Sequence, residues 1–179
     1  MEAQLTPHAG PSQAAPTGCC PPFDPAPWVD QQIVWRDKPF VTDHVHCLFH
    51  IPLDMTSRVK RNDELIRAAQ AAPAHPLMLS DDVSPWGAEL YIEVTKPVPN
   101  ARMTQLSGTF FTSVYEGPYR DAGKWVADMR RALNERQLEL EKLYFGYTTC
   151  PRCAKAYGKN YVIVFAQLKS AMPPARSST

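Results

Sequence analysis

The chain has 179 residues, of which 44% are hydrophobic and 21% charged, and its formal net charge is +1. That length suits one domain or two small modules sharing a core. The near-neutral balance argues against a strongly basic nucleic-acid binder and against an acidic disordered chain, and no apolar run approaches the roughly 20 residues a membrane span needs.

In chain order, Met1–Gly18 carries Ala, Pro, Ser, Gln and Thr with almost no large apolar side chain. Such a segment cannot bury enough surface to offset its chain entropy, so residues 1–18 are expected to be a disordered tail. It lacks the basic and apolar regions of a secretory signal, which makes the reducing cytoplasm the expected compartment. The folded body is expected over residues 19–168, as a strap (19–39), a first module (40–96) and a second module (104–168), with 169–179 as another tail.

Cys20-Pro21-Pro22-Phe23-Asp24-Pro25-Ala26-Pro27-Trp28 reads as an extended, proline-stiffened strap lying across a surface. Gln32–Trp35 reads as a short strand, and the alternation over His44–Pro52 as another. Ser57–Ala72 is an amphipathic helix ended by Pro73, with Val59, Asn62, Ile66 and Ala69 on one stripe. Strands follow at Leu77–Ser80 and Trp86–Lys96. After Pro97-Val98-Pro99-Asn100 the same order returns. Thr109–Glu116 is a strand, and Asp121 opens a long helix striped over about five turns by Ala122, Trp125, Val126, Met129, Leu133 and Leu140. Leu143–Thr149 is a further strand, and Tyr161–Leu168, apolar on both faces, a central one. The expected fold class is α+β: two pseudosymmetric strand–helix–strand–strand modules, an antiparallel sheet with two helices, and a groove between the modules.

Two modules of this order, with Val114-Tyr115-Glu116-Gly117-Pro118-Tyr119 opening the second helix and Trp125 one turn in, resemble the gyrase-inhibitor-like (GyrI-like) superfamily, whose arrangement is also SOUL-like. That group includes effector-binding domains of drug-sensing regulators and some small hydrolases. Cys19-Cys20-Pro21-Pro22-Phe23-Asp24-Pro25-Ala26-Pro27-Trp28 and the run from Thr148-Thr149-Cys150-Pro151-Arg152-Cys153 to Asn160-Tyr161 are similar to an uncharacterised bacterial "hydrolase" family. The resemblance implies that a small, mostly apolar or amphipathic molecule binds between the modules and is hydrolysed there. It also implies an acidic residue on the final strand facing the ligand, where this chain has Gln167. A non-enzymatic ligand sensor, and a thiol redox or soft-metal protein, are the other readings.

Cys150-Pro151-Arg152-Cys153 places two thiolates on one side of a tight turn, close enough for one tetrahedral ion. Cys19 and Cys20 supply two more sulfurs on the strap. These four are the expected zinc ligands, pinning strap to second module, with His50 or His46 able to replace one of the adjacent pair. A redox dithiol and plain unligated cysteines are the competing readings of the C-x-x-C. Cys47, on an apolar strand face, reads as core.

His44, His46 and His50 share a strand face, as a half-solvated surface or, less simply, as metal ligands. Glu89, Tyr91 and Glu93 share another face near Trp86. Two carboxylates about 7 Å apart beside aromatic rings fit acid–base work or a cationic ligand as well as a solvated face. Tyr115, Glu116 and Tyr119 flank the Gly-Pro turn. Glu116, or Glu93, is the candidate base, and Tyr115, Tyr119 or Tyr91 the candidate donor to a developing anion. Trp125 reads as core or groove wall. No phosphate-cradling glycine loop, serine elbow or dinucleotide fingerprint is present, so no nucleotide cofactor is expected.

Overall fold

Gln32–Trp35 and His44–Pro52, read above as separate strands, belong largely to one 18-residue strand, β1 (Gln31–Leu48). Its register slips between Trp35 and Lys38, where Asp37 adopts φ 51, a bulge that bends the strand. The rest of the chain follows as β2 (Ile51–Pro52), α1 (Met55–Ala68), β3 (Met78–Ser84), β4 (Gly87–Glu93), β5 (Arg102–Glu116), α2 (Ala122–Glu135), β6 (Leu140–Tyr147), α3 (Pro151–Tyr157) and β7 (Tyr161–Leu168). These elements come from a computed structural model, which describes residues 20–49 and 51–169. The expected tail 1–18 and, apart from Lys169, the expected tail 169–179 lie outside the described residues, together with Cys19 and His50.

The expectation of two α+β modules is overturned by how the strands join. β1 pairs antiparallel with β4 on one side and with β5 on the other. The ladder continues β4–β3–β6–β7–β5, so six antiparallel strands close into one barrel, with β2 appended to the end of β1. The physical reason is length. β1 and β5 are long enough to bend and to serve two neighbours each, which the short segments read from the sequence are not.

Closure gives each strand an inner face and an outer face, both buried over much of their length. Trp35, Phe40, Leu79, Tyr91, Phe110, Tyr144, Ile163 and Phe165 fill the interior. Outside, α1 lies on Val41, Val45, Ala88, Leu90 and Ile92 through Ile66 and its neighbours. α2 lies on Phe111, Val162, Val164 and Ala166 through Trp125, Met129 and Leu133. Tyr161–Leu168 is apolar on both faces for this reason: alternate residues point into the barrel and under α2.

Neither long helix runs as far as its hydrophobic pattern. α1 stops before Pro73 because Gln70 turns left-handed (φ 52), letting the N–H of Ala71 donate to Ile66 O at 3.0 Å. Gln137 (φ 56) ends α2 in the same way, with Leu138 N–H donating to Leu133 O at 2.9 Å. The strap does not lie across the surface. It turns through a short 3-10 segment at Ala26–Trp28 and drives Trp28 against Phe165, ring centroids 5.6 Å apart. Thr112 Oγ1 donates to Trp28 O at 2.8 Å and fixes the plug.

Interior packing is tight at Gly146. A Cβ there would stand 2.7 Å from Cε2 of Phe165, a fully buried ring. Gly146→Ala is therefore expected to cost about 1–3 kcal/mol through overpacking. Thermal denaturation checks this, and an unchanged midpoint would refute it.

A polar chain joins the end of β1 to α1. Asp54 accepts from the backbone N–H of His46 at 2.8 Å, pairs with the His46 ring at 3.0 Å and accepts from Arg58 at 2.9 Å. Arg58 also reaches Asp43, which accepts from the buried Asn62. The His46 side chain above all, then its backbone N–H and Arg58, holds the Asp54 carboxyl at about 2, against an opposing push from burial. A depressed carboxyl contributes stability that is present above its ordinary value and is lost as pH falls through the folded one. Asp54→Asn should thus flatten the decline in stability between about pH 4 and pH 2. The site is solvated, so the effect is well under about 1 kcal/mol, and acid titration followed by circular dichroism measures it.

Candidate functional site

Among the described residues, β3 and β6 pair at Leu79↔Gly146 and Ser80↔Phe145. α1 covers the sheet on one side of this seam and α2 covers it on the other, which leaves the outer face of the seam between two helices. A groove of about 620 Å³ lies there. Met55 and Val59 of α1 form one wall, Ala122 and Trp125 of α2 the other, with Met78, Ser80, Phe145 and Tyr147 as floor. It runs into a second cleft of about 960 Å³ along α2, and Pro52, Tyr119, Ala122 and Phe145 border both. Arg120, Arg130 and Lys142 give that second cleft a polar rim, where Lys142 pairs with the carboxylate of Asp81.

Of the residues singled out by sequence, Tyr119 and Trp125 line the groove. Tyr119 stands where the chain enters α2. Burial pushes its hydroxyl up to about 12, and the hydroxyl donates to Asn160 Oδ1 at 3.4 Å. Its ring meets Tyr147 edge-on with centroids 5.4 Å apart. Tyr115 stacks on Trp125 at 5.9 Å, and burial also raises its hydroxyl. Glu116 is exposed at the end of β5, beside Gly117, which exchanges hydrogen bonds with Asn160.

The β4 residues fall on the opposite face from the one the groove uses. Tyr91 is inside the barrel, edge-on to Tyr144 and Phe40, and burial raises its hydroxyl. Glu93 pairs with the largely buried Lys38 and accepts from Leu77 N–H at 3.0 Å. Glu89 pairs with His44 at 3.1 Å and Arg102 at 2.8 Å. Trp86 is 58% exposed and packs on Phe49, ring centroids 5.1 Å apart. Gln167, at the position of the implied acidic residue, also points inward: it accepts from Tyr144 O–H at 3.2 Å and donates to Ser107 O at 3.3 Å. His44 and His46 spend their rings on Glu89 and Asp54.

Three of the four cysteines expected to hold a metal do converge. The Sγ atoms of Cys20, Cys150 and Cys153 lie within 4.8 Å of one another. Cys150 precedes α3 and Cys153 lies within it, so the C-x-x-C begins a short helix and not the plain turn expected. The N–H of Cys150 donates to Cys20 Sγ at 3.4 Å, the kind of bond that favours a thiolate. Tyr157 O–H donates to Cys20 O at 2.5 Å and holds the strap from the far end of α3. Phe23 packs on Tyr161, 5.8 Å between centroids. Such a trio fits zinc or another thiophilic ion. Cys47 is not one of the three and is buried in the cluster under α1. Cys150 and Thr149 also belong to the wall of the smaller groove, so the thiol cluster and the groove share a boundary.

Sequence reasoning passed over Phe145, Tyr147, Met55, Val59 and Thr149. The first two alternate with the inward Tyr144 and Gly146 along β6, a period-two signal that marks an outer face once the inner one is known.

The fold is a closed antiparallel barrel flanked by helices, with an aromatic groove between two of them and a thiol cluster at its end. The chain belongs to the family described as bacterial hydrolase, whose model matches residues 11–168. Among solved structures it is similar to a hydrolase from Listeria innocua, with 12% identity and a TM-score of 0.58, covering 79% of this chain and 92% of that one. An uncharacterised conserved protein from Listeria innocua is similar at 11% identity and a TM-score of 0.60, with the same coverage. These likenesses speak to the fold. No curated protein matches the chain. The gyrase-inhibitor-like resemblance continues to rest on the sequence motif alone. No helix among the described residues is long and apolar enough to cross a membrane.

Proposed function

We propose that the protein hydrolyses small, mostly apolar molecules in the groove between α1 and α2, and that a zinc ion held by Cys20, Cys150 and Cys153 clasps the strap beside it. Membership of the bacterial hydrolase family supports the reaction class. The observation that carries the location is Tyr119, 42% exposed as a residue, which borders both clefts beside the aromatic floor and whose hydroxyl is desolvated enough to be raised. With its hydroxyl raised to about 12, Tyr119 stays protonated at neutral pH and can donate a hydrogen bond.

For an ester-like substrate, water adds to the carbonyl carbon, giving its proton to bulk water, and the carbonyl oxygen takes up negative charge. Tyr119 O–H stabilises that oxygen, and collapse breaks the carbon–oxygen bond to the leaving group, which departs as an oxyanion and takes its proton from bulk water. Trp125, Phe145 and Tyr147 supply the apolar contact. The reducing cytosol, the compartment proposed with this reading, keeps the thiols available to the metal.

Two variants and a metal measurement test it. With aryl esters of increasing acyl length as substrates, Tyr119→Phe should lower kcat by about 10²-fold, with KM little changed. Thr56→Trp, at an exposed position on the groove wall, should raise KM while leaving the melting temperature alone. Protein purified without chelators should hold one zinc per chain. Saturable binding of the esters without turnover would leave a ligand sensor in place of an enzyme.

A further inference from the structure

We infer that the hydroxyl of Thr149 is a second hydrogen-bond donor, beside Tyr119, to a carbonyl oxygen of the groove's occupant, so that the groove selects esters and ketones over hydrocarbons of the same shape; this rests on the groove reading above. Phe145, Tyr147 and Thr149 all line the groove. They are alternate residues of one run, and a period of two sets them along one side of it. Thr148, between the last two, turns to the neighbouring strand, where its Oγ1 donates to Tyr161 O at 2.8 Å. Tyr119 stands against this row, its ring meeting that of Tyr147 edge-on at 5.4 Å. Thr149 is thus the next groove residue after the one on which Tyr119 packs.

The hydroxyl of Thr149 differs from its neighbours. Those of Thr148 and Tyr119 have acceptors in Tyr161 O and Asn160 Oδ1. Thr149 is 8% exposed, and its Oγ1 is buried with no hydrogen-bond partner among the described residues. Trp35 and Thr42 also bury an unpartnered polar atom, but neither lines the groove. A buried hydroxyl normally finds a partner, and one without it destabilises the protein. The groove is the side from which a partner can come. Turning Thr149 to another staggered side-chain position brings the hydroxyl round to the groove and breaks no hydrogen bond. Two donors, Thr149 and Tyr119, then converge on one acceptor. A carbonyl oxygen has two lone pairs and takes both. The oxyanion formed when water adds to an ester takes both more strongly, and Thr149 keeps its proton throughout. A hydrocarbon of the same shape leaves the hydroxyl unpaired and is rejected for that reason.

The test compares two variants of the full chain: Thr149→Val, which loses the hydroxyl, and Thr149→Ser, which keeps it. Without substrate, Thr149→Val should melt no lower than the parent, because it removes an unpaired polar atom. With the aryl esters it should lower kcat about 10²-fold and leave KM little changed, while Thr149→Ser stays close to the parent. The ketone 4-phenyl-2-butanone is not hydrolysed and reports binding alone by calorimetry. Its Kd should rise about tenfold in Thr149→Val, whereas the matched hydrocarbon isopentylbenzene should bind both proteins alike. A clearly lower melting temperature in Thr149→Val would mean that the hydroxyl has a partner inside the protein. An unchanged ketone affinity would mean that it never meets the occupant. Either result overturns the inference. Turnover lost in Tyr119→Phe but kept in Thr149→Val also overturns it and spares the hydrolase reading. Ketone affinity that depends on Thr149 in a chain without turnover upholds the contact and overturns hydrolysis.

Discussion

With the metal proposed for the thiol cluster, chelation is expected to lower the stability of the protein by about 4 kcal/mol relative to protein holding the ion at about a thousand times its dissociation constant. For a domain of this length that is a fall in melting temperature of about 8–16 °C. The effect is large because the cluster fastens more than itself. Cys20 starts the strap, the strap carries Phe23 against Tyr161, and it ends in Trp28, whose ring lies among the interior residues of the barrel. Releasing Cys20 from Cys150 and Cys153 frees the segment that holds the plug. Scanning calorimetry with zinc and with chelator measures it. Cys153→Ser should reproduce the chelated value without zinc response, and a melting temperature indifferent to chelator would sink the idea.

Lys38→Met should cost about 3–5 kcal/mol, the penalty for leaving one partner of a buried ion pair uncompensated. The side chains of Lys38 and Glu93 are 9% and 13% exposed, and the ammonium also lies 5.6 Å from the ring of Trp35. Removing Lys38 strands the Glu93 carboxylate on the strand that closes against β1. Adding Glu93→Gln should recover most of the loss, because the amide oxygen still accepts from Leu77 N–H and carries no charge. Urea denaturation of the single and double variants decides it. Equal loss in both would mean that the cost comes from packing and not from charge.

The contrast between β4 and α2 shows how much could be read from the sequence. Period-two alternation sorted Glu89, Tyr91 and Glu93 from Ala88, Leu90 and Ile92 correctly, yet alternation says nothing about which face looks inward in a closed sheet. The charged face therefore reads as the solvent or groove side, whereas it is the barrel interior and its rims, with Glu93 paired to Lys38 and Glu89 to His44 and Arg102. α2 was legible because a single apolar stripe, Trp125, Met129 and Leu133, has one way to bury itself. Closure itself had no local signal: it depends on β1 pairing with β5, from Gln31↔Thr112 to Thr42↔Arg102, far apart in the chain. The cysteines were legible for the opposite reason. Their chemistry is carried by residue type and spacing, so Cys20 could be matched with Cys150 and Cys153 before any strand order was known. Tyr119 came from a turn motif, but its partners Tyr147 and Asn160 required the fold.

The seam between β3 and β6 has a consequence for what the groove can accept. Cooperative structure opens first where the fewest backbone bonds must break together. Among the described residues β3 and β6 pair at Leu79↔Gly146 and Ser80↔Phe145, with the Lys142–Asp81 ion pair beside them, while the β1–β5 ladder is longer and lies elsewhere in the barrel. The two helices can therefore part or close by a small give in this one joint, with the interior around Phe40 and Phe110 left undisturbed. Girth tolerance in the occupant is thereby separated from the rigidity of the core, so that a wide and a narrow molecule meet the same fixed phenol of Tyr119.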